Sequence, residues 1–280
     1  MTYKTILVHV DETQSSVKRT QIAHTLAAKF DAHLTGIALT GVSRYIFEST
    51  DLGVGDPNIM LHLSALRERA EKAISRFKQS STDLGVSTTE CVIANDEANG
   101  GLGLRARYAD LIVIGQTNLN EPSPSVMSDF PEFMVVNSGR PVLVVPHART
   151  SSTTIGERCV VAWDGSRESA RALTDAIPLL KLSKIVHVLI VNPNQTEQTH
   201  GEEPGADVAL FLARHGIKVE ITTRFSTHDK GRAILDVCKE NGADLLVMGA
   251  YGHSRFREMI MGGATRTVLE AMEIPVLMAH

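Results

Sequence analysis

The chain has 280 residues, 43% hydrophobic and 21% charged, and a formal net charge of −4. That is enough apolar chain for two ordinary domains, and it offers no basic balance for a nucleic-acid partner. Three scattered cysteines, Cys91, Cys159 and Cys238, argue against a disulfide framework and for a reducing, cytoplasmic setting, and no apolar run is long enough for a membrane span or a signal peptide.

In chain order, the first apolar run is "ILVHVD" (6–11), ending in Asp11, followed by an amphipathic stretch, "SSVKRTQIAHTLAAKF" (15–30). The spacing predicts a strand and then a helix. A second strand, "AHLTGIAL" (32–39), leads to a long loop at 40–60 and a second helix. A weaker alternating run, "VSTTECVI" (86–93), precedes a third helix. The strongly apolar "DLIVIG" (110–115), a helix-length segment and "PVLVV" (141–145) close the half. A polar linker, "ARTSSTTIGE" (148–157), follows, and the pattern restarts with "VVAWD" (160–164), "SRESARALTDAIPLLK" (166–181) and "IVHVLIV" (185–191). It continues with "IKVEITT" (217–223), "DLLVMG" (244–249), the helix-forming "GATRTVLEAM" (263–272) and "PVLMA" (275–279). Val/Ile/Leu runs alternating with helices predict α/β domains with parallel strands buried on both faces, five in each half. Doubly wound sheets of this kind bind ligands at the carboxyl ends of their strands, where the strand order reverses. Trp163, the only tryptophan, is expected in the core.

The halves are a tandem duplication. "YADLIVIG" (108–115) matches "GADLLVMG" (242–249), "GRPVLVVPH" (139–147) matches "EIPVLMAH" (273–280), and Asp11 matches Asp164. Asp110 precedes Pro141 by 31 residues, and Asp244 precedes Pro275 by the same 31. The implied domains are 1–147 and 157–280. The first half is the longer, mostly through 40–60, read either as a lid or interface or as a tolerated insertion. The two last strands are apolar sheet edges, and an uncovered edge invites aggregation, so they are expected to pair or pack between the halves.

The second half carries "GAYGHSRFREMIMGGAT" (249–265). Glycines at the ligand edge of a sheet can take positive φ and let backbone N–H groups converge on an anion, and the helix after Gly262 would present its N-terminus to a phosphate. The alternative is that the glycines only let the chain turn. The duplicated unit, the strand-one Asp and Gly249-x2-Gly252-x9-Gly262 together resemble the universal stress protein family, as a tandem two-domain member. The resemblance implies an adenine nucleotide alpha hydrolase-like fold with strand order 3-2-1-4-5 in each domain, and in one subgroup ATP binding through this glycine motif. Gly263 stands where the family motif has a hydroxyl residue.

By that resemblance Asp164 contacts adenine or ribose, Val191 touches adenine through its backbone, and Ala162, Met248 and Tyr251 line the pocket. Gly249, Gly252, Gly262, Gly263 and Ala264 form the phosphate end. Asp164 or Ser166 is also a candidate cap for the following helix. In the first half Asn118, Ser128, Asp129 and Pro131 stand at the positions of Gly252, Gly262, Gly263 and Thr265. Asp129 opposes a phosphate and Pro131 lacks an N–H, so that half is read as degenerate, its pocket open to another ligand.

The implied function is a cytoplasmic stress-response module that binds ATP or a related adenine nucleotide, with Mg²⁺ left open, and acts on an unknown protein partner. No nucleic acid, membrane or protein-bound metal is expected. The tandem copies would form an intramolecular pseudo-dimer, with a homodimer of chains left open. The alternatives are a slow ATP hydrolase or nucleotidyl transferase and a nucleotide-free interaction protein. The chain lacks a Walker-type loop, and Asp164 is the only acid the sequence places at the pocket.

Overall fold

The computed structural model describes residues 2–42, 57–86, 88–147, 154–193, 203–227, 229–252 and 263–280. Most of the 40–60 loop, at 43–56, lies outside the described residues, as does Gly262. The chain divides into two compact units, Thr2–Arg140 and Pro141–His280.

In the first unit β1 (Thr5–His9), β2 (His33–Leu39), β3 (Thr89–Ala94) and β4 (Leu111–Gly115) form a parallel array in the order β3-β2-β1-β4. The continuous apolar runs are the central strands. Ile6, Leu7 and Val8 of β1 and Leu111 to Ile114 of β4 are buried, whereas the alternating run is the half-exposed edge strand β3. Among the described residues they are accompanied by α1 (Gln14–Phe30), α2 (Pro57–Asp83), α3 (Ala98–Ala106) and α4 (Phe130–Asn137).

The second unit contains β5 (Val142–Val145), β6 (Arg158–Ala162), β7 (Ile185–Val191), β8 (Val219–Arg224), β9 (Leu245–Gly249) and β10 (Val276–Ala279), in the order β5-β10-β9-β6-β7-β8. Its helices among the described residues are α5 (Arg167–Leu180), α6 (Ala206–Arg214), α7 (Lys230–Glu240) and α8 (Gly263–Ala271). The strands of the second repeat run β8-β7-β6-β9-β10, the predicted 3-2-1-4-5, and all of these pairs are parallel. β5 joins this unit because it pairs antiparallel with β10, Leu143 opposite Leu277, as the edge argument anticipates. Each strand then covers the other's apolar edge.

The repeated "ADL" motifs have a shared structural task. The Asp110 carboxylate accepts the N–H groups of Lys4 at 2.7 Å and Thr5 at 3.0 Å, and that of Asp244 accepts those of Gly156, Glu157 and Arg158 at 3.0–3.1 Å. Each clamps the start of strand one to the start of strand four and satisfies N–H groups that no ladder reaches. α5 shows why these helices form. Ser166 caps it by accepting the Ser169 N–H at 3.1 Å, and Ala172, Leu173, Ala176, Ile177 and Leu180 bury one face. Burial pushes the Cys159 and Cys238 thiols up to about 12, so both behave as core residues rather than nucleophiles. Trp163 is half-buried at the end of β6 rather than in the core. Among the described residues no helix is long and apolar enough to cross a membrane.

Candidate functional site

In the second unit the strand order reverses between β6 and β9, and the sequence-nominated residues gather there. β6 ends at Ala162, which lies in register with Met248 of β9 on one side and Leu189 of β7 on the other; Val191 ends β7 two residues on. Asp164 follows β6 and is exposed; its Oδ1 accepts the Ser166 N–H at 3.0 Å. Ser166 is therefore the cap of α5, and Asp164 shapes the turn before it.

The glycines behave differently from the sequence expectation. A Cβ on Gly249 would run into the backbone of Glu168 and Ser169 at the start of α5, so strand-to-helix packing requires that glycine. None of Gly249, Gly252 and Gly263 has φ in the left-handed region. That conformation falls on Tyr251, at φ 62°, and turns the chain between Gly249 and Gly252. The Tyr251 ring lies edge-on to His280, centroids 6.4 Å apart. Gly252 makes a close approach of another kind: its Cβ would lie 2.8 Å from Glu168 Oε2 and 3.2 Å from Ser166 Oγ. α8 begins at Gly263, as expected, with Ala264 half-buried in its first turn. The first turns of α7 and α8 touch, because a Cβ on Gly231 would lie 2.6 Å from the Ala264 carbonyl oxygen.

Sequence reasoning missed two acids. Glu168 is only 8% exposed and lies against Gly252, and Asp229 Oδ2 is 3.4 Å from the Cβ position of Gly263. Asp164 is thus not the only acid here. Both sit where a helix N-terminus stabilises a carboxylate, Glu168 in the first turn of α5 and Asp229 capping α7 through the Arg232 N–H at 2.9 Å. A sequence signal existed: both acids fall at helix starts that follow the carboxyl ends of strands. Asn192 was also missed. It has φ 56°, donates to the Ser226 carbonyl at 2.9 Å and accepts the Ser226 N–H at 2.8 Å, tying the ends of β7 and β8 together.

The matching place in the first unit is built otherwise. Asp11 is 8% exposed, and its Oδ2 lies 2.9 Å from Nη2 of Arg19, itself 2% exposed. Arg19 Nε donates to the His9 carbonyl at 2.6 Å. Asp11 Oδ1 accepts from both the N–H and the hydroxyl of Thr13. Burial works to raise the Asp11 carboxyl, but Arg19, His9 and Thr13 together hold it well below the usual carboxylate range. Burial, assisted by Arg19 and opposed by Asp11, lowers His9 to about 4. At the positions aligned with the glycine motif, Asp129 is the N-cap residue of α4 and Pro131 lies in its first turn.

Comparison with known proteins fits this architecture. Residues 156–280 match the Universal stress protein family. A universal stress protein of Synechocystis sp. is 31% identical over 140 residues, 49% of this chain and 46% of that protein, so the match takes in about half of that relative's length. A universal stress protein of Bacillus subtilis is 27% identical over 145 residues, 44% of this chain and 98% of its own. Among solved structures, a universal stress protein from Archaeoglobus fulgidus superposes with a TM-score of 0.73 at 18% identity, covering 98% of this chain and 95% of that one. A functionally unknown protein from Pseudomonas aeruginosa gives 0.61 at 16% identity, covering 99% and 92%. The fold is of the adenine nucleotide alpha hydrolase-like class.

Proposed function

Because the chain is a member of the universal stress protein family, we propose that its second half binds an adenine nucleotide, ATP or a relative, and serves as a regulatory or interaction module. The observation that carries this reading is the gathering of three helix N-termini at the carboxyl edge where strand order reverses. These are α5 beside Gly249 and Gly252, and α7 against α8 at Gly231 and Ala264. Helix N-termini attract anions, and glycines keep the backbone donors open to them. Ala162, Met248 and Val191 form an apolar wall for the base, and the exposed Asp164 accepts from the base or the ribose. Gly252, Gly263 and Ala264 offer backbone to the phosphates. Glu168 and Asp229 would repel bare phosphates, so the reading favours a Mg²⁺-nucleotide, with the cation supplying charge neutralisation beside these two acids. The cytoplasm is the proposed location. The proposed partner is a protein, engaged by the single chain with its β5–β10 pair or by a homodimer.

Titration calorimetry with ATP, with and without Mg²⁺, tests the reading. Saturable Mg²⁺-dependent binding is expected, weakened at least about tenfold by Asp164→Ala, the scale of one hydrogen bond to a charged group. Turnover lost in Asp164→Ala with binding retained would instead favour slow hydrolysis. The Glu168 carboxylate lying against Gly252 favours a second reading, a nucleotide-free interaction protein, and absence of ATP binding under both conditions would select it.

A further inference from the structure

The second unit leaves a sheet edge open. β8 is the terminal strand of the order, and no strand among the described residues lies beyond it. β7 fixes which of its backbone groups are used: the Lys218 carbonyl accepts the Val186 N–H at 3.0 Å, and the Arg224 carbonyl accepts the Asn192 N–H at 2.8 Å. The even-numbered residues therefore turn their N–H and C=O groups toward β7. Val219, Ile221 and Thr223 turn theirs outward, a row of donors and acceptors that fits another strand. The strand, VEITTR, carries neither the proline nor the lysine that commonly blunts an edge. Ile221 is 42% exposed and Phe225, one residue past the strand, 66% exposed, so the edge is apolar as well as unpaired.

Charge selects the occupant. When two copies of β8 run antiparallel about a twofold axis at Thr222, Glu220 of each falls opposite Arg224 of the other. Only that register sets these opposite charges face to face. It also matches the backbone: Ile221 opposes the second copy's Thr223 as a hydrogen-bonded pair, because both turn their donors and acceptors outward. Glu220, Thr222 and Arg224 then form the non-hydrogen-bonded pairs, whose side chains approach most closely. Each charge has a neighbour in its own chain as well. Glu220 Oε2 lies 3.6 Å from His187 Nδ1, and Arg224 touches the Glu240 carboxylate of α7. Pairing adds a second partner to these exposed groups and leaves no charge buried alone. On the other face, Ile221 lies at the start of α6, where a Cβ on Gly205 would be 3.1 Å from its Cγ2, and it meets a β-branched Thr223.

The opposite terminal strand, β3, lacks this property. Glu90 is the only charged residue of its sequence TECVIA, so no register of two copies brings opposite charges together. The β5–β10 pair, with Leu143 opposite Leu277, shows that the fold already covers one apolar edge by antiparallel pairing.

We propose that the β8 edge is the interface of a homodimer, in which two chains pair β8 antiparallel about a twofold axis at Thr222. A six-residue strand buries little surface beside a standard interface, so the dimer is weak, with a dissociation constant on the order of 100 µM.

Sedimentation equilibrium of the full chain without nucleotide, from about 10 µM to about 1 mM, should show a reversible monomer–dimer transition. Glu220→Arg or Arg224→Glu alone sets like charges opposite one another at both ends of the pair and should weaken the dimer at least about tenfold. The double variant Glu220→Arg/Arg224→Glu restores opposite charges and should recover most of that loss, which a folding defect of the single variants would not allow. On a Cys91→Ser background, Thr222→Cys should form a disulfide-linked dimer on oxidation. Residues opposed at the axis have Cα atoms roughly 4.5 Å apart, within bridging range. Glu220→Cys should not cross-link, because its two copies lie roughly 14 Å apart along the strands. A chain that is monomeric at every concentration overturns the assignment, and so does a dimer indifferent to the charge reversals and to the position of the cysteine. With no nucleotide present, either result leaves the nucleotide reading where it stands.

Discussion

Asp11 and Asp164 occupy one position in a duplicated scaffold, two residues past the last residue of the repeat's first strand, and they have diverged into different chemical objects. Asp11 is buried and ion-paired with Arg19, whereas Asp164 is exposed and bends a turn toward Ser166. The cause lies eight residues on and two residues back. A long cationic side chain at Arg19 reaches over the strand end to its own aspartate, and Ala172 cannot; His9 fills space that Ala162 leaves open. The scaffold thus uses the same carboxylate as a buried structural anion in one copy and as an exposed, turn-shaping acceptor in the other.

Breaking the buried pair should produce the largest effect. Arg19→Ala leaves Asp11 as an uncompensated buried charge, and removing one partner of such a pair typically costs about 3–5 kcal/mol. Asp164→Ala should cost no more than about 1 kcal/mol, since it removes one partner of an exposed backbone N–H. Urea unfolding of both variants measures the contrast. The double variant Asp11→Ala/Arg19→Ala, which removes both charges, should recover part of the loss. If the two single variants lose the same stability, the two aspartates are not the distinct objects described above.

The pH profile sharpens the comparison next. The ordinary histidine value is 6.5 and His9 is lowered to about 4 in the fold. Between these values the unfolded chain binds a proton that the folded chain refuses, so stability falls as pH drops from 6.5 to 4. At about 1.4 kcal/mol per pH unit the expected loss is about 3 kcal/mol. His24, lowered chiefly by burial, acts in the same direction. Asp11 acts in a lower window. Its depressed value contributes stability that is present above the unfolded carboxylate range and lost only as pH falls through the folded value. Urea midpoints from pH 7 to 4 should therefore decline for the native chain and decline less for His9→Ala, the residue the second repeat carries. A flat native profile would mean that His9 is not held neutral by burial.

What the sequence discloses follows from how local each feature is. Strand runs, the repeat and the β5–β10 pairing are legible because they depend on hydrophobic pattern and on the need to cover an edge. The residues Ala162, Asp164, Met248 and Val191 are nominated by the resemblance to the family, and the strand order brings their strand ends side by side. Glu168 against Gly252, and Asp229 near Gly263, depend on how side chains at helix starts fold back over a neighbouring loop, and no period encodes that. The left-handed residue is Tyr251 rather than a glycine because α5 approaches so closely that Gly249 and Gly252 serve contact, not turning. Arg19 was half legible: a cation aligned with Ala172 on the inward face of a helix marks a buried charge, but its partner needs coordinates.

The two glycines of the second unit test whether packing and ligand binding are separable, and they carry the smallest effects. At Gly249 a methyl group meets the backbone of α5, which cannot rotate away, so Gly249→Ala should cost about 1–3 kcal/mol as an overpacked site. At Gly252 the obstacle is the far end of the Glu168 side chain, which can swing aside. The first repeat already carries Asn118 at the matching position. Gly252→Asn should therefore leave the thermal midpoint within about 4 °C of the native value, a shift of under roughly 2 kcal/mol. It should weaken ATP binding at least about tenfold, or about 1.4 kcal/mol, because the new side chain occupies space between backbone donors and ligand. Scanning calorimetry and titration calorimetry on the same preparations read the two effects separately. If ATP binds the native chain and Gly252→Asn leaves its affinity unchanged, the nucleotide lies away from Gly252, and that glycine serves only the packing of Glu168.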